Sequence, residues 1–126
     1  MIRSADQSTL ERSEALQRRT KKFAIRVVNL FRSLPHSPDA QTIGKQLLRS
    51  GTSVAANYRA VCRSRSKAEF ISKMSVVIEE ADESVFWLEL MSETGVISAV
   101  RVADLLQEAN ELVAIFAASL RTVKSR

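Results

Sequence analysis

Cysteine, histidine, proline and glycine are all scarce in this chain of 126 residues, which holds one Cys, one His, two Pro and three Gly. A single Cys62 cannot close an internal disulfide, and a lone thiol fits a reducing cytoplasm. It reads as a small packing hydrophobe near a helix end rather than as a nucleophile. Few glycines and prolines argue against the frequent turns that a sandwich or barrel needs. His36 lies in a loop between Pro35 and Pro38 and offers no fixed general base. No uncharged stretch approaches the roughly 18 apolar residues of a membrane span. No apolar signal core follows the N-terminus, where Ile2 gives way at once to charged and polar residues. The expectation is a soluble, cytoplasmic protein with no membrane partner.

What the chain does contain is helix-forming sequence, 45% hydrophobic and 26% charged. Its length predicts one domain over 1–126, large enough to bury a core without metal or disulfide. Up to about residue 10 the chain is polar with no apolar period, which predicts a frayed N-terminus. Leu16, Phe23, Val27, Leu30, Phe31 and Leu34 then recur at steps of three and four, marking one helix face. Pro35 ends this helix, and Ser37-Pro38-Asp39 starts the next with a cap, a first-turn proline and an acid that complements the helix dipole. The second helix has Ile43, Leu47, Val54, Tyr58 and Val61 as its buried face, beside an unusual set of small residues: Ser50, Gly51, Ser53, Ala55, Ala56 and Ala60. Glycine inside a helix costs about 1 kcal/mol relative to alanine, so Gly51 implies close approach by a neighbouring helix. Asn57 among these small residues reads as partly buried and therefore hydrogen-bonded.

Ser66-Lys67-Ala68-Glu69 is a capping box that opens a third helix, with Phe70, Met74, Val77, Ile78, Ala81, Val85, Leu88 and Met91 as its apolar stripe. Gly95 closes it and Ser98 caps the fourth, which carries Val102, Leu105, Leu106, Ala109, Leu112, Val113, Phe116, Leu120 and Val123. Four amphipathic helices with short connections predict an all-α fold, an antiparallel up-and-down four-helix bundle without a bound cofactor. Ile25, Val28, Leu48, Ile71 and Phe86 fall off the main stripes, and apolar surface left over on several helices points to self-association.

The net charge of +5 is less informative than its arrangement. Seven bases lie between Lys45 and Lys73 against Glu69 alone, while six acids and no base lie between Glu79 and Glu93. A second basic cluster, Arg18, Arg19, Lys21 and Lys22, lies in the first helix and continues to Arg26. Such segregation makes faces that can complement each other or attract a polyanion.

From Leu47 to Leu90 the chain carries Arg49-Ser50 followed by Ser53 and Asn57, then Ser66-x-x-Glu69-Phe70, then Glu80-x-x-Glu83-Ser84 followed by Trp87-Leu88. By these marks it resembles the four-helix-bundle family of the protein encoded by the 23S rRNA intervening sequence, over roughly Phe23 to Leu120. The resemblance implies an up-and-down bundle that assembles as a homopentamer around a central channel. A related branch is the accessory subunit of reverse transcriptases in diversity-generating retroelements, which implies a basic pentamer that contacts nucleic acid and polymerase. A reverse transcriptase or another larger enzyme is accordingly an expected partner, besides RNA or DNA.

Two constellations could carry chemistry. Glu79, Glu80, Asp82 and Glu83 offer i, i+3 and i, i+4 carboxylate pairs able to hold a divalent cation, with Glu108 and Glu111 as a second pair. The arrangement resembles that of all-α magnesium-dependent nucleotide pyrophosphatases, except that Glu111 stands where those have aspartate. The competing reading makes the acids structural, in a polar network of Arg49, Ser53, Asn57, Glu80 and Glu83, and this reading is favoured. A di-iron bundle is excluded, because it needs Glu-x-x-His pairs and the third helix has no histidine. The second constellation is basic. Arg59, Arg63, Arg65 and Lys67 at one bundle end, repeated by oligomer symmetry, would form a positive ring for sequence-independent contact with phosphates. Arg18, Arg19, Lys21 and Lys22 are the second choice for such contacts. The alternative is a solvated helix end, or a purely protein-binding scaffold. No base-reading motif accompanies the charge. The expectation is a scaffold without catalytic residues or metal.

Overall fold

The computed structural model describes residues 5–126. They form four α-helices: α1 (Ala5–Arg32), α2 (Pro38–Val61), α3 (Lys67–Glu93) and α4 (Ala99–Lys124). Of the segment expected to fray, residues 5–10 are helical, and 1–4 lie outside the described residues. The polar run continues the helix because Gln, Leu, Glu, Arg and Ala are good helix formers even without an apolar face to bury.

Each helix packs on its neighbour in sequence, α1 on α2, α2 on α3 and α3 on α4, while α1 and α4 meet more sparingly. Among the described residues the backbones of α1 and α3, and of α2 and α4, do not approach each other closely, so these pairs occupy the diagonals of an up-and-down bundle and meet only through core side chains such as Tyr58 and Phe116. The core runs along the bundle axis through Phe23 and Val27 of α1, Leu47 and Val54 of α2, Met74 and Leu88 of α3, and Leu112 and Phe116 of α4. Leu16, Leu30, Phe31 and Ile43 pack at its margin, half-buried. Thr20 is buried with them, its hydroxyl donating to the Gln17 carbonyl at 3.0 Å.

Turn chemistry sets where the helices reverse. Pro38 takes the first position of α2, where its missing N–H costs nothing. Ser37 occupies the cap position with extended backbone, yet its side chain accepts no cap hydrogen bond. The hydroxyl is turned to Asp39 instead and, with the Ala40 amide at 2.9 Å, holds that carboxyl below its ordinary range. At the start of α3, Ser66 Oγ accepts from the Glu69 amide at 3.1 Å. Glu69 reaches back one residue further than a reciprocal box requires, accepting from the Arg65 amide at 3.4 Å. Gly95 takes φ +74 just beyond the α3 C-cap, a backbone that L side chains rarely adopt.

Candidate nucleic-acid interface

Up-and-down topology brings the α2–α3 turn and the C-terminus of α4 to one end of the bundle. Lys67 Nζ donates to the main-chain oxygen of Arg126 at 2.7 Å and ties the two together. Arg59 in the last turn of α2, Arg63 and Arg65 in the turn, and Lys67 at the start of α3 are all exposed. Arg121, Lys124 and Arg126 share this end and are exposed as well. These three were missed in the sequence. Their signal was the run Arg121-x-x-Lys124-x-Arg126, which gains meaning only once the topology places it. Glu69 lies at the same end but is already held by Lys73 at 2.7 Å.

The second basic cluster is split by the structure. Arg18, Lys21 and Lys22 are exposed on α1. Arg19 is not available with them: its Nε and Nη2 donate to the two oxygens of Glu108 on α4 at 2.8 and 2.7 Å, and Nη2 also reaches Glu111 at 3.2 Å. Helix geometry explains the division, since Arg19 sits one turn from both Leu16 and Phe23, at the core-side edge of α1. This fork closes the side of the bundle where α1 and α4 touch least. Arg19, with smaller contributions from Arg26 and Lys22, holds the Glu108 carboxyl below its ordinary range against the opposing effect of burial.

The acidic side chains of α3 are similarly engaged. Arg49 Nη1 donates to Glu80 at 3.1 Å and Nη2 to Glu83, and Trp87 Nε1 lies 3.5 Å from the same Glu83 oxygen. Asn57 and Ser53 form a separate pair one turn away on α2. Asn57 Nδ2 donates to Ser53 Oγ at 2.7 Å and to the Ser53 carbonyl at 2.9 Å. The anticipated network is therefore two clusters. A polar contact not anticipated lies between them and the core: the fully buried Ser84 hydroxyl is 2.9 Å from Ser50 Oγ, and bridges α3 to α2. Small residues at positions 50 and 84 let the two helices approach closely enough for this bond.

Among the described residues no three His, Cys, Asp or Glu side chains gather so as to hold a metal ion. Glu79 and Asp82 are exposed, and neither takes part in the Arg49 pairing that holds Glu80 and Glu83. Cys62 is half-buried, and burial pushes its thiol above the ordinary value, which disfavours the nucleophilic thiolate. Its neighbour Tyr58 stacks on Phe116 with ring centroids 5.5 Å apart, and burial raises its phenol well above the usual range. No helix among the described residues is long and apolar enough to cross a membrane.

Among curated proteins none matches this chain. The crystal structure of a protein of unknown function from the S23 ribosomal protein family of Bacteroides thetaiotaomicron is similar to it. The two are 30% identical with a TM-score of 0.80, over 86% of this chain and 97% of the other. The family described as 23S rRNA-intervening sequence protein matches residues 12–118, from the first turns of α1 to near the end of α4. The bundle and the matched span together establish that this chain belongs to the 23S rRNA-intervening sequence protein family.

Proposed function

We propose that the protein is a non-enzymatic, cytoplasmic scaffold that assembles with copies of itself and grips RNA or DNA backbones through one basic end. The observation that carries this reading is the grouping of Arg59, Arg63, Arg65 and Lys67 with Arg121, Lys124 and Arg126 at that end, all exposed. Repetition around a symmetry axis would turn the patch into a ring of positive potential able to release counterions from a polyanion. A pentamer is the assembly that the family resemblance implies, and a reverse transcriptase or other large enzyme is the kind of partner such a ring would present nucleic acid to. The engagement of Glu80 and Glu83 by Arg49, and of Glu108 and Glu111 by Arg19, supports a structural role for carboxylates that could otherwise serve a magnesium-dependent pyrophosphatase.

Light scattering should give about five times the 14.0 kDa chain mass. Fluorescence anisotropy with labelled RNA and DNA of unrelated sequences should show binding at low salt with little preference among them. No binding at tens of micromolar protein, where non-specific contacts ordinarily register, would reject the nucleic-acid reading and leave a purely protein-binding scaffold.

A further inference from the structure

We infer that copies of this protein associate head to tail, the outer face of α1 in one copy lying on the outer face of α3 in the next, parallel and in a single register. The inference rests on the self-association proposed above and adds which faces meet and how they align.

α1 and α3 stand at opposite corners of the bundle and run in the same direction. Each has an exposed face that the fold leaves uncovered. On α1 this face is basic around Ile25, which is 53% exposed; on α3 it is acidic around Phe86, 52% exposed. Arg18, Lys21 and Arg32 of α1, and Glu79, Asp82 and Glu93 of α3, are all exposed, and none is in a salt bridge among the described residues.

The two faces match at a constant offset of 61 positions. Ile25 falls directly opposite Phe86, and Leu10 on one flank of the seam lies across from Val76 on the other, so apolar side chains line the seam over about 22 Å of helix. The same offset sets Arg18 against Glu79, Lys21 against Asp82, and Arg32 against Glu93. A slip of one helical turn destroys the match, putting Ile25 on Asp82 in one direction and Lys21 on Phe86 in the other. One position fits poorly: Val28 meets Glu89.

Phe86 is also braced for the role. Its ring meets Trp87 edge to face at 4.9 Å, and Trp87 in turn rests on Glu83. The anchor is thus a rigid knob that loses little side-chain freedom on docking. Because the contact joins two different faces, each copy has both, and the contact propagates from copy to copy, forming a ring where the rotation between copies closes. A parallel alignment of α1 and α3 is what an axis along the bundle requires, and it sets the basic ends of all copies on the same side. Arg18 and Lys21 then belong to the protein interface, and nucleic-acid contact falls to the Arg63 and Arg65 end.

Charge swapping tests this. The pair Arg18→Glu with Lys21→Glu, and separately Glu79→Lys with Asp82→Lys, should each reduce the scattering mass to the 14.0 kDa chain, with helical circular dichroism unchanged. All four substitutions in one chain should restore the wild-type mass. Independently, Ile25→Cys with Phe86→Cys in a Cys62→Ala background should give a ladder of cross-linked chains on oxidation, because the two positions are exposed on helices at opposite corners of one chain, whose backbones do not come close. An assembled wild type whose mass survives both reversals, or an assembled double-cysteine protein that gives no ladder, overturns the proposed faces and leaves self-association standing. A monomeric wild type overturns self-association itself.

Discussion

Gly51 of α2 lies directly against Val27 of α1: a β-carbon at position 51 would stand 2.8 and 2.9 Å from the two Val27 methyls. Val27 is fully buried and β-branched, so it has no other rotamer to retreat to. The glycine's helix penalty is thus offset by the close approach of α2 to Val27 of α1 that it allows. Gly51→Ala gains about 1 kcal/mol in helix propensity but incurs an overpacking cost of about 1–3 kcal/mol. The expected net is a loss of up to about 2 kcal/mol in urea denaturation. Val27→Ala removes the colliding methyls, so the double variant should be more stable than the sum of the singles predicts. Simple additivity would show that the contact is not what excludes alanine.

The Arg19–Glu108 fork should make stability pH-dependent in a defined direction. The folded-state pKa of Glu108 lies below its unfolded value near 4.5, so the carboxylate contributes stability above that pH and loses it as pH falls through the lower, folded value. Arg19→Ala should cost about 1.5–3 kcal/mol at neutral pH, since it removes hydrogen bonds to a charged group that stays largely buried. Glu108→Gln should likewise be less stable than wild type at pH 7, with the gap narrowing well below pH 4. Chemical denaturation at several pH values measures both, and a gap that widens in acid would contradict the assignment.

If Arg49 satisfies Glu80 and Glu83, magnesium has nothing to add. Millimolar magnesium should leave the melting temperature of the wild type unchanged. Glu83→Gln should lower it slightly, the loss of stability being less than about 1 kcal/mol for a pair this exposed. A magnesium-dependent rise in melting temperature that disappears in Glu83→Gln would signal a bound cation. Hydrolysis of nucleoside triphosphates lost in the same variant would establish an enzyme instead of a scaffold.

The C-terminal bases should behave like those of the α2–α3 turn. Arg63→Glu with Arg65→Glu should abolish nucleic-acid binding with helical content intact. Arg121→Glu with Lys124→Glu should weaken it for every sequence alike. Each lost phosphate contact should also reduce the slope of log affinity against log salt by about 0.9 on duplex DNA. A wild-type affinity insensitive to salt between roughly 50 and 200 mM would argue against backbone contact.

Local stereochemistry made the helices, their turns and several caps legible in the residues alone. Pro35 and Pro38 cannot be accommodated inside a helix, Ser66 and Glu69 have the spacing of a start, and Gly95 suits the left-handed step at an end. All of these are interactions over four residues or fewer, and apolar spacing of three and four follows from the same geometry. Gly51 announced a close neighbour because a helix tolerates glycine only for a reason. The partner's identity is another matter. That Val27 is the neighbour, that Arg19 leaves its basic cluster for Glu108, 89 residues away, and that Arg126 comes to rest on Lys67 depend on which helix faces meet. Even Ser37, rightly placed as a cap residue, gives its hydroxyl to Asp39 rather than to the helix. The sequence by itself determined how many helices there are and where each turns; only the tertiary structure decided which charges are consumed inside the bundle and which remain outside. The physical reason is that a helix's own pattern marks its buried side, whereas the partner across that side is chosen by packing among all four helices at once.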